Sequence, residues 1–174
     1  PALVQRTAQA FTRSRGDIAA TVAALLTDPE AARFGRKFRD PLHYVLAATR
    51  LSVDQRVAAD VAPVLGWVNR LGQNLYAHET PDGYPQMQSD WASSGQMAAR
   101  FEVARQIATR SAVLFRADPA DALEKPPYPT LSELASVRQR LPQWSQATQA
   151  ALAQARNPAD WNTYFLSAPE MMFR

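Results

Sequence analysis

The residues best suited to chemistry lie close together in one segment, residues 73–91. The candidate ligand-binding residues of this segment are one imidazole, three carboxylates and two of its aromatic side chains: His78, Glu79, Asp82, Tyr84, Asp90 and Trp91. Loops that carry convergent groups of this kind are common places for binding or acid–base chemistry. Because irregular loops also supply the oxygen ligands that Ca²⁺ prefers, the same residues offer a candidate metal-binding or carbohydrate-binding site.

The same segment has a purely structural interpretation, which we favour. Asp82-Gly83 stands between two prolines, and this is the composition of a turn. Asp82 would then make the turn, the loop would pack on its own aromatic rings, and the imidazole and Glu79 would face water. Trp91 borders the loop and would stack on a ligand only if its ring were exposed.

A second cluster of functional groups is basic and lies in residues 33–39. Its candidate anion-binding residues are Arg33, Arg36, Lys37 and Arg39. Cationic side chains that alternate with aromatic rings could bind phosphate or an anionic polymer. The alternative is that Phe34 and Phe38, one helical turn apart, dock into the core while the cations point outward. The net charge is only +3, and the sequence contains no known nucleic-acid recognition motif. We therefore expect no nucleic-acid partner.

Standard catalytic and cofactor-binding motifs are missing. The chain has no cysteine, which excludes a disulfide, a thiolate zinc site and a cysteine nucleophile. Its six glycines are not grouped into a phosphate loop, and no serine stands in a nucleophile elbow. The two histidines are far apart and His43 has no spaced partner, so a histidine-based zinc site would need carboxylates brought together by the tertiary fold. We therefore expect no cofactor, and the sequence favours a module without catalysis of its own.

The elements that must position these clusters are helices. Capping residues precede apolar periodic segments at four places: Asp17, Asp40 followed by proline, Ser93-x-x-Gln96 and Asn157. Ser52-x-x-Gln55 predicts a further helix start, and the apolar stripe that follows should kink or break at Pro63. No apolar stretch is long enough to span a membrane.

These signals together predict an all-α protein. We expect a compact bundle of about eight or nine short helices with one long ordered loop at about 73–91. A chain of 174 residues is of one-domain size, so we expect a single helical domain over residues 1–174.

A phrase that occurs twice suggests matching architecture at the two ends of the chain. Its copies are Leu25 to Glu30 and Phe165 to Glu170. In each copy a hydroxyl residue, Thr27 or Ser167, stands three places before a glutamate with proline between them, which is the pattern of a capping box. We therefore expect Thr27 and Ser167 each to begin a helix, so that both ends form a capped helix, a sharp turn and a second capped helix.

Several phrases, taken in order, resemble a known bacterial family. They are Pro41 to Arg50, Leu71 to Gln73, Thr80 to Pro85 with Trp91, Arg100, and Trp161 with Phe165 to Glu170. The ordered set is similar to the C-terminal part of the family catalogued as domain of unknown function 1800. The segment from about 118 to 155 carries no phrase of that family.

The resemblance implies an extracytoplasmic bacterial protein, periplasmic or secreted, of which this chain is the C-terminal portion. Members of the family usually carry an export signal and are often encoded beside a protein that resembles the alkaline phosphatase and sulfatase superfamily. The implied partners are such a protein and the N-terminal region of the same polypeptide. No reaction is implied, so we expect an assembly or ligand-presenting role. The alternative is an enzyme fragment that contributes the 73–91 loop to a site completed elsewhere.

Overall fold

The computed structural model describes residues 2–31, 36–115 and 130–174. Those residues form nine α-helices, short 3-10 segments and one isolated bridge between Phe38 and Phe173, which confirms the all-α prediction. The chain divides into two compact units, residues 1–37 with Arg174, and residues 38–173. Among the described residues, no helix combines the length and the apolar composition needed to cross a membrane.

The first unit is a helical hairpin. Helix α1 (Ala2–Arg13) and helix α2 (Ile18–Leu26) pack against each other. Gly16 has a φ of +90° at the turn, a conformation that a side chain would strain. The carboxylate of Asp17 then accepts a hydrogen bond from the Ala20 amide over 3.0 Å and caps α2, as predicted.

The second unit contains the remaining helices. They are α3 (Pro41–Val53), α4 (Ala62–Arg70), α5 (Gln88–Trp91), α6 (Ser94–Arg110), α7 (Ala135–Arg140), α8 (Gln146–Ala153) and α9 (Pro158–Ser167). The core lies between α3, α6 and α9, of which α6 and α9 pack most extensively. Tyr44, Ile107 and Leu166 contribute fully buried side chains from these three helices. Trp144 and Trp161 both stack on Phe165.

One charged side chain is completely buried in this core. Arg100, on α6, has no solvent exposure, and its guanidinium lies over the rings of Phe38 and Tyr44 at 4.8 and 5.0 Å from their centroids. Burial lowers the pKa of Arg100 to about 10, because the charged form loses its hydration. Cation–π contact replaces part of that hydration.

The repeated phrase marks helix ends, so the prediction that Thr27 and Ser167 begin helices was wrong. Thr27 follows α2, and its hydroxyl donates to the carbonyl of Ala23 over 2.8 Å. Ser167 is the last residue of α9, and its hydroxyl donates to the carbonyl of Thr163 over 2.7 Å. A hydroxyl in the last turn reaches the carbonyl four residues back, and the proline that follows cannot continue the helix.

The other capping predictions have mixed outcomes. Asp40 and Asn157 cap α3 and α9, and the Ser93 hydroxyl accepts from the Gln96 amide over 3.3 Å at the start of α6. Ser52, however, lies inside α3, and its hydroxyl donates to a carbonyl one turn back instead of starting a helix. Pro63 lies in the first turn of α4, so the predicted stripe is broken there, as expected.

Candidate functional site

The segment predicted as a loop, residues 73–91, is irregular as far as Met87, and its last four residues form α5. The whole segment, which we continue to call the 73–91 loop, is ordered by its own aromatic side chains. The Tyr84 hydroxyl donates to the carbonyl of Asn74 over 2.9 Å, which ties the two limbs of the loop together. The Tyr84 ring lies against the ring of Trp91, with centroids 6.3 Å apart. Trp91 is 6% exposed, and its indole N–H donates to the carbonyl of Pro85 over 2.8 Å. Gly72 and Gly83 supply the positive φ angles that the turns require.

Three polar side chains of the loop, those of His78, Thr80 and Asp82, form a chain of contacts that begins beside the Tyr84 ring. The ring of His78 meets Tyr84 edge-on, with centroids 4.5 Å apart. Nδ1 of His78 lies 2.9 Å from the carbonyl oxygen and 3.3 Å from the hydroxyl of Thr80. The Thr80 hydroxyl donates to the carboxylate of Asp82. That hydrogen bond holds the pKa of Asp82 below its usual value, so the carboxylate is ionised at neutral pH.

The loop residues predicted from the sequence divide into two groups. The structure links His78 to Asp82 through the Thr80 hydroxyl. The His78 ring contacts Tyr84, which in turn lies against the buried Trp91. Glu79 is exposed, and Asp90 accepts from the Met87 amide over 3.2 Å at the start of α5. In the described ranges, no three histidine, aspartate or glutamate side chains are grouped so that they could hold a metal ion.

Sequence reasoning missed the most exposed aromatic residue of the loop. The side chain of Tyr76 is fully exposed, at 106% of its reference area, and its backbone has a φ of +59°. Its neighbour Leu75 is 45% exposed, and Met87 in the other limb of the loop is 69% exposed. No sequence signal distinguishes Tyr76 from the other aromatic residues of the loop. A left-handed backbone is rare for tyrosine, and the neighbouring residues do not predict it.

The basic cluster is only partly described. Arg33 and Phe34 lie outside the described residues. Lys37, in the first unit, exchanges backbone hydrogen bonds of 3.0 and 2.9 Å with Arg174, while both Lys37 and Arg36 are exposed. In the second unit, Phe38 is buried against Phe173, and the Arg39 guanidinium donates to the carbonyl of Met171. Phe38 therefore docks in the core, as the structural alternative predicted.

The fold and the loop define a helical module with one ordered, partly polar excursion. A family model described as "Protein of unknown function (DUF1800)" matches residues 1–173, and the chain therefore belongs to that family. No curated protein matches the chain. No solved structure matches it either.

Proposed function

We propose that this chain is a non-catalytic module of an exported bacterial protein, and that it presents the 73–91 loop to a partner polypeptide. The observation that carries the proposal is Tyr76, whose ring is fully exposed on a left-handed backbone. A bulky residue in that conformation stores strain of order 1–3 kcal/mol. The exposed ring buries no area against the described part of the chain, so packing there does not offset the strain. Burial in a partner would supply the missing compensation.

The chemistry of the exposed loop residues suits a protein partner. Tyrosine is enriched among the few interface residues that carry most of the binding energy, since it combines a large apolar area with a polar tip. Leu75 adds an apolar side chain next to Tyr76, and Met87 adds a second from the other limb of the loop. Methionine adapts its shape to irregular surfaces.

The anchoring of the loop supports presentation in a fixed shape. The hydrogen bond from Tyr84 to Asn74 and the one from Trp91 to Pro85 hold both limbs from inside. A loop that is already ordered loses less conformational entropy on binding, which raises affinity without any added contact. The half-buried Tyr84 and the buried Trp91 therefore fix the loop that carries the exposed Tyr76.

The partner and the location of the protein are part of the proposal and rest on the family. The resemblance supports two partners, the N-terminal region of a longer polypeptide and a protein of the alkaline phosphatase and sulfatase superfamily. It also supports an extracytoplasmic location. The first partner to test is a phosphatase-like or sulfatase-like protein of the kind that the family resemblance implies as a gene neighbour.

The test is a binding titration of the purified chain against that neighbouring protein. Tyr76→Ala should weaken binding at least about tenfold, the loss expected for an interface anchor. The matched control is Tyr164→Ala, because Tyr164 is also a tyrosine, is 37% exposed and lies on α9 outside the loop. Absence of binding by the wild-type chain, or equal losses in the two variants, would reject this role for the loop.

A second function is favoured by the His78, Thr80 and Asp82 cluster. An imidazole linked through a hydroxyl to an ionised carboxylate is a group that could move a proton or bind a sugar hydroxyl. In that case the loop would belong to an enzyme or to a carbohydrate or metal site completed by another region. Substituting His78, Asp82 and Tyr84 would then abolish activity or binding while the fold is retained. Calorimetry with Ca²⁺ and with an N-acetylglucosamine oligosaccharide separates this alternative from protein binding.

A further inference from the structure

Within the described part of the first unit, no further helix covers the apolar side of the helical hairpin. Neither α1 nor α2 contains a buried residue. Ile18 and Leu26 on α2 are 74% and 73% exposed, and Val4 and Phe11 on α1 are 60% and 50% exposed. We call the apolar stripes of α1 and α2 the hairpin face. Two helices with an apolar stripe normally bury it against a further element, because each exposed Å² of apolar surface costs about 25 cal/mol.

The hairpin face is concave and is shaped to receive side chains. A groove of about 430 Å³ runs between the two helices. Its lining comes from Leu3, Val4, Thr7 and Phe11 of α1 and from Thr21 and Leu25 of α2. Ile18, Val22 and Leu26 continue the stripe along α2, since they follow at four-residue spacing on one side of the helix. The hairpin thus offers a groove and a neighbouring ridge.

The charges of the hairpin are segregated to its two ends. Helix α2 has no charged residue between Ile18 and Leu26. At the turn, Arg13 and Arg15 outnumber Asp17, which leaves one excess positive charge. At the other end, the Arg6 guanidinium pairs with Asp28 and Glu30 over 2.5 and 2.7 Å, which leaves one excess negative charge in that cluster.

We propose that the hairpin face binds the same face of a second copy of this chain, in antiparallel orientation. A two-fold axis across the face brings the basic turn of each copy to the acidic cluster of the other. The uncharged α2 helices then meet without like charges, and the ridge of one copy fills the groove of its partner. The product is a four-helix bundle, the architecture in which two helical hairpins bury their stripes together.

The size of the face sets the expected strength. Helix α1 is roughly 18 Å long and two helices side by side are about 20 Å wide. A face of this length and width has an area well below the roughly 800 Å² per partner that a stable interface buries. We therefore expect a dimer of micromolar affinity. This inference concerns a different surface from the 73–91 loop and does not depend on it.

Sedimentation equilibrium of the purified chain across micromolar concentrations tests the dimer. The wild type should show a monomer–dimer equilibrium, and Val22→Glu should weaken association at least about tenfold. Val57→Glu is the matched control, because Val57 is 88% exposed and lies in the second unit. A wild type that stays monomeric throughout, or equal losses in both variants, would overturn the proposal. A wild-type chain that stays monomeric but binds lipid vesicles or a longer form of the protein through Val22 would overturn it as well.

A charge exchange tests the antiparallel orientation. Arg13→Glu alone and Glu30→Lys alone should each weaken self-association, since each places like charges together in its own homodimer. When the two variants are mixed, residue 13 of one chain meets residue 30 of the other with opposite charge at both ends. The mixture should therefore recover association near the wild-type level at low salt. Failure to recover would reject the antiparallel arrangement.

Discussion

The buried guanidinium of Arg100 donates a hydrogen bond to the backbone carbonyl of Arg39, with 2.8 Å between Nη2 and the oxygen. Its Nη1 lies 3.6 Å from the sulfur of Met172, so one side chain of α6 holds the segment that leads into α3 and the end of the second unit. Among the residues that the structure describes, none makes a hydrogen bond with its Nε atom. A buried cation held by a carbonyl, a sulfur and two rings is a structural tie that depends on every one of these contacts.

Arg100→Ala should strongly destabilise the second unit. The change leaves a cavity and removes the guanidinium donor from the Arg39 carbonyl, so we expect a loss of about 3 kcal/mol in the free energy of unfolding. Urea denaturation followed by circular dichroism measures it. Arg105→Ala is the control, because Arg105 lies on the same helix but is exposed and pairs with Glu102. It should have little effect.

Tyr44→Phe should cost about 1 kcal/mol of stability, because the phenol bridges the carbonyls of Arg100 and Leu166 at 3.2 and 3.1 Å. Burial raises the pKa of Tyr44 far above its ordinary value of 10.0. Its stabilising contribution is therefore complete below pH 10 and is lost as the pH rises further. Denaturation at several alkaline pH values should show the wild type losing its advantage over Tyr44→Phe. A constant difference would contradict this.

Glu170→Gln should destabilise the start of α8 in a pH-dependent way. Burial alone would raise the pKa of Glu170, but hydrogen bonds from the Ser145 amide and the Thr148 hydroxyl, at 2.8 and 2.9 Å, hold it below its ordinary 4.5. A lowered acid pKa gives stability that is present above pH 4.5 and disappears as the pH falls through the folded value. The melting temperatures of wild type and variant should converge on acidification, and a gap that persists would count against it.

The pair Asn157→Ala and Ser167→Ala tests which end of α9 each residue serves. Asn157 caps the helix, with its side-chain oxygen 2.8 Å from the Asp160 amide, so its loss should cost about 1 kcal/mol. Ser167 donates back into the last turn, where alanine is a better helix former, so that variant should be neutral or slightly more stable. Thermal denaturation compares them. Equal losses would mean that the Ser167 hydroxyl stabilises the end of α9 as much as Asn157 stabilises its start.

Tyr76→Asn should leave the chain as stable as the wild type or raise its stability by up to about 1 kcal/mol, because asparagine tolerates a left-handed backbone. Because the Tyr76 ring is fully exposed, its replacement removes no buried surface from the chain. Urea denaturation measures the change. A clear loss of stability would mean that Tyr76 supports the loop from within, which would remove the basis for its presenting role.

Local capping chemistry made much of the fold predictable. Asp17, Asp40, Ser93 and Asn157 cap helices because their side chains are short enough to reach an amide within the same turn. The repeated phrase was misinterpreted because hydroxyl residues satisfy donors at a helix start and acceptors at a helix end equally well. The loop was located by its prolines and glycine, yet the exposure of Tyr76 and the burial of Trp91 were not predictable from turn chemistry.

The sequence by itself determined the helical class, the starts of α2, α3, α6 and α9 and the position of the ordered loop, because these depend on interactions between residues a few places apart. Only the tertiary structure decided that Arg100 is buried, that Thr80 links His78 to Asp82 beside Tyr84, and that α1 and α2 keep an open apolar face. Burial and exposure depend on what distant segments bring to a side chain. The spacing of residues along one chain does not contain that information.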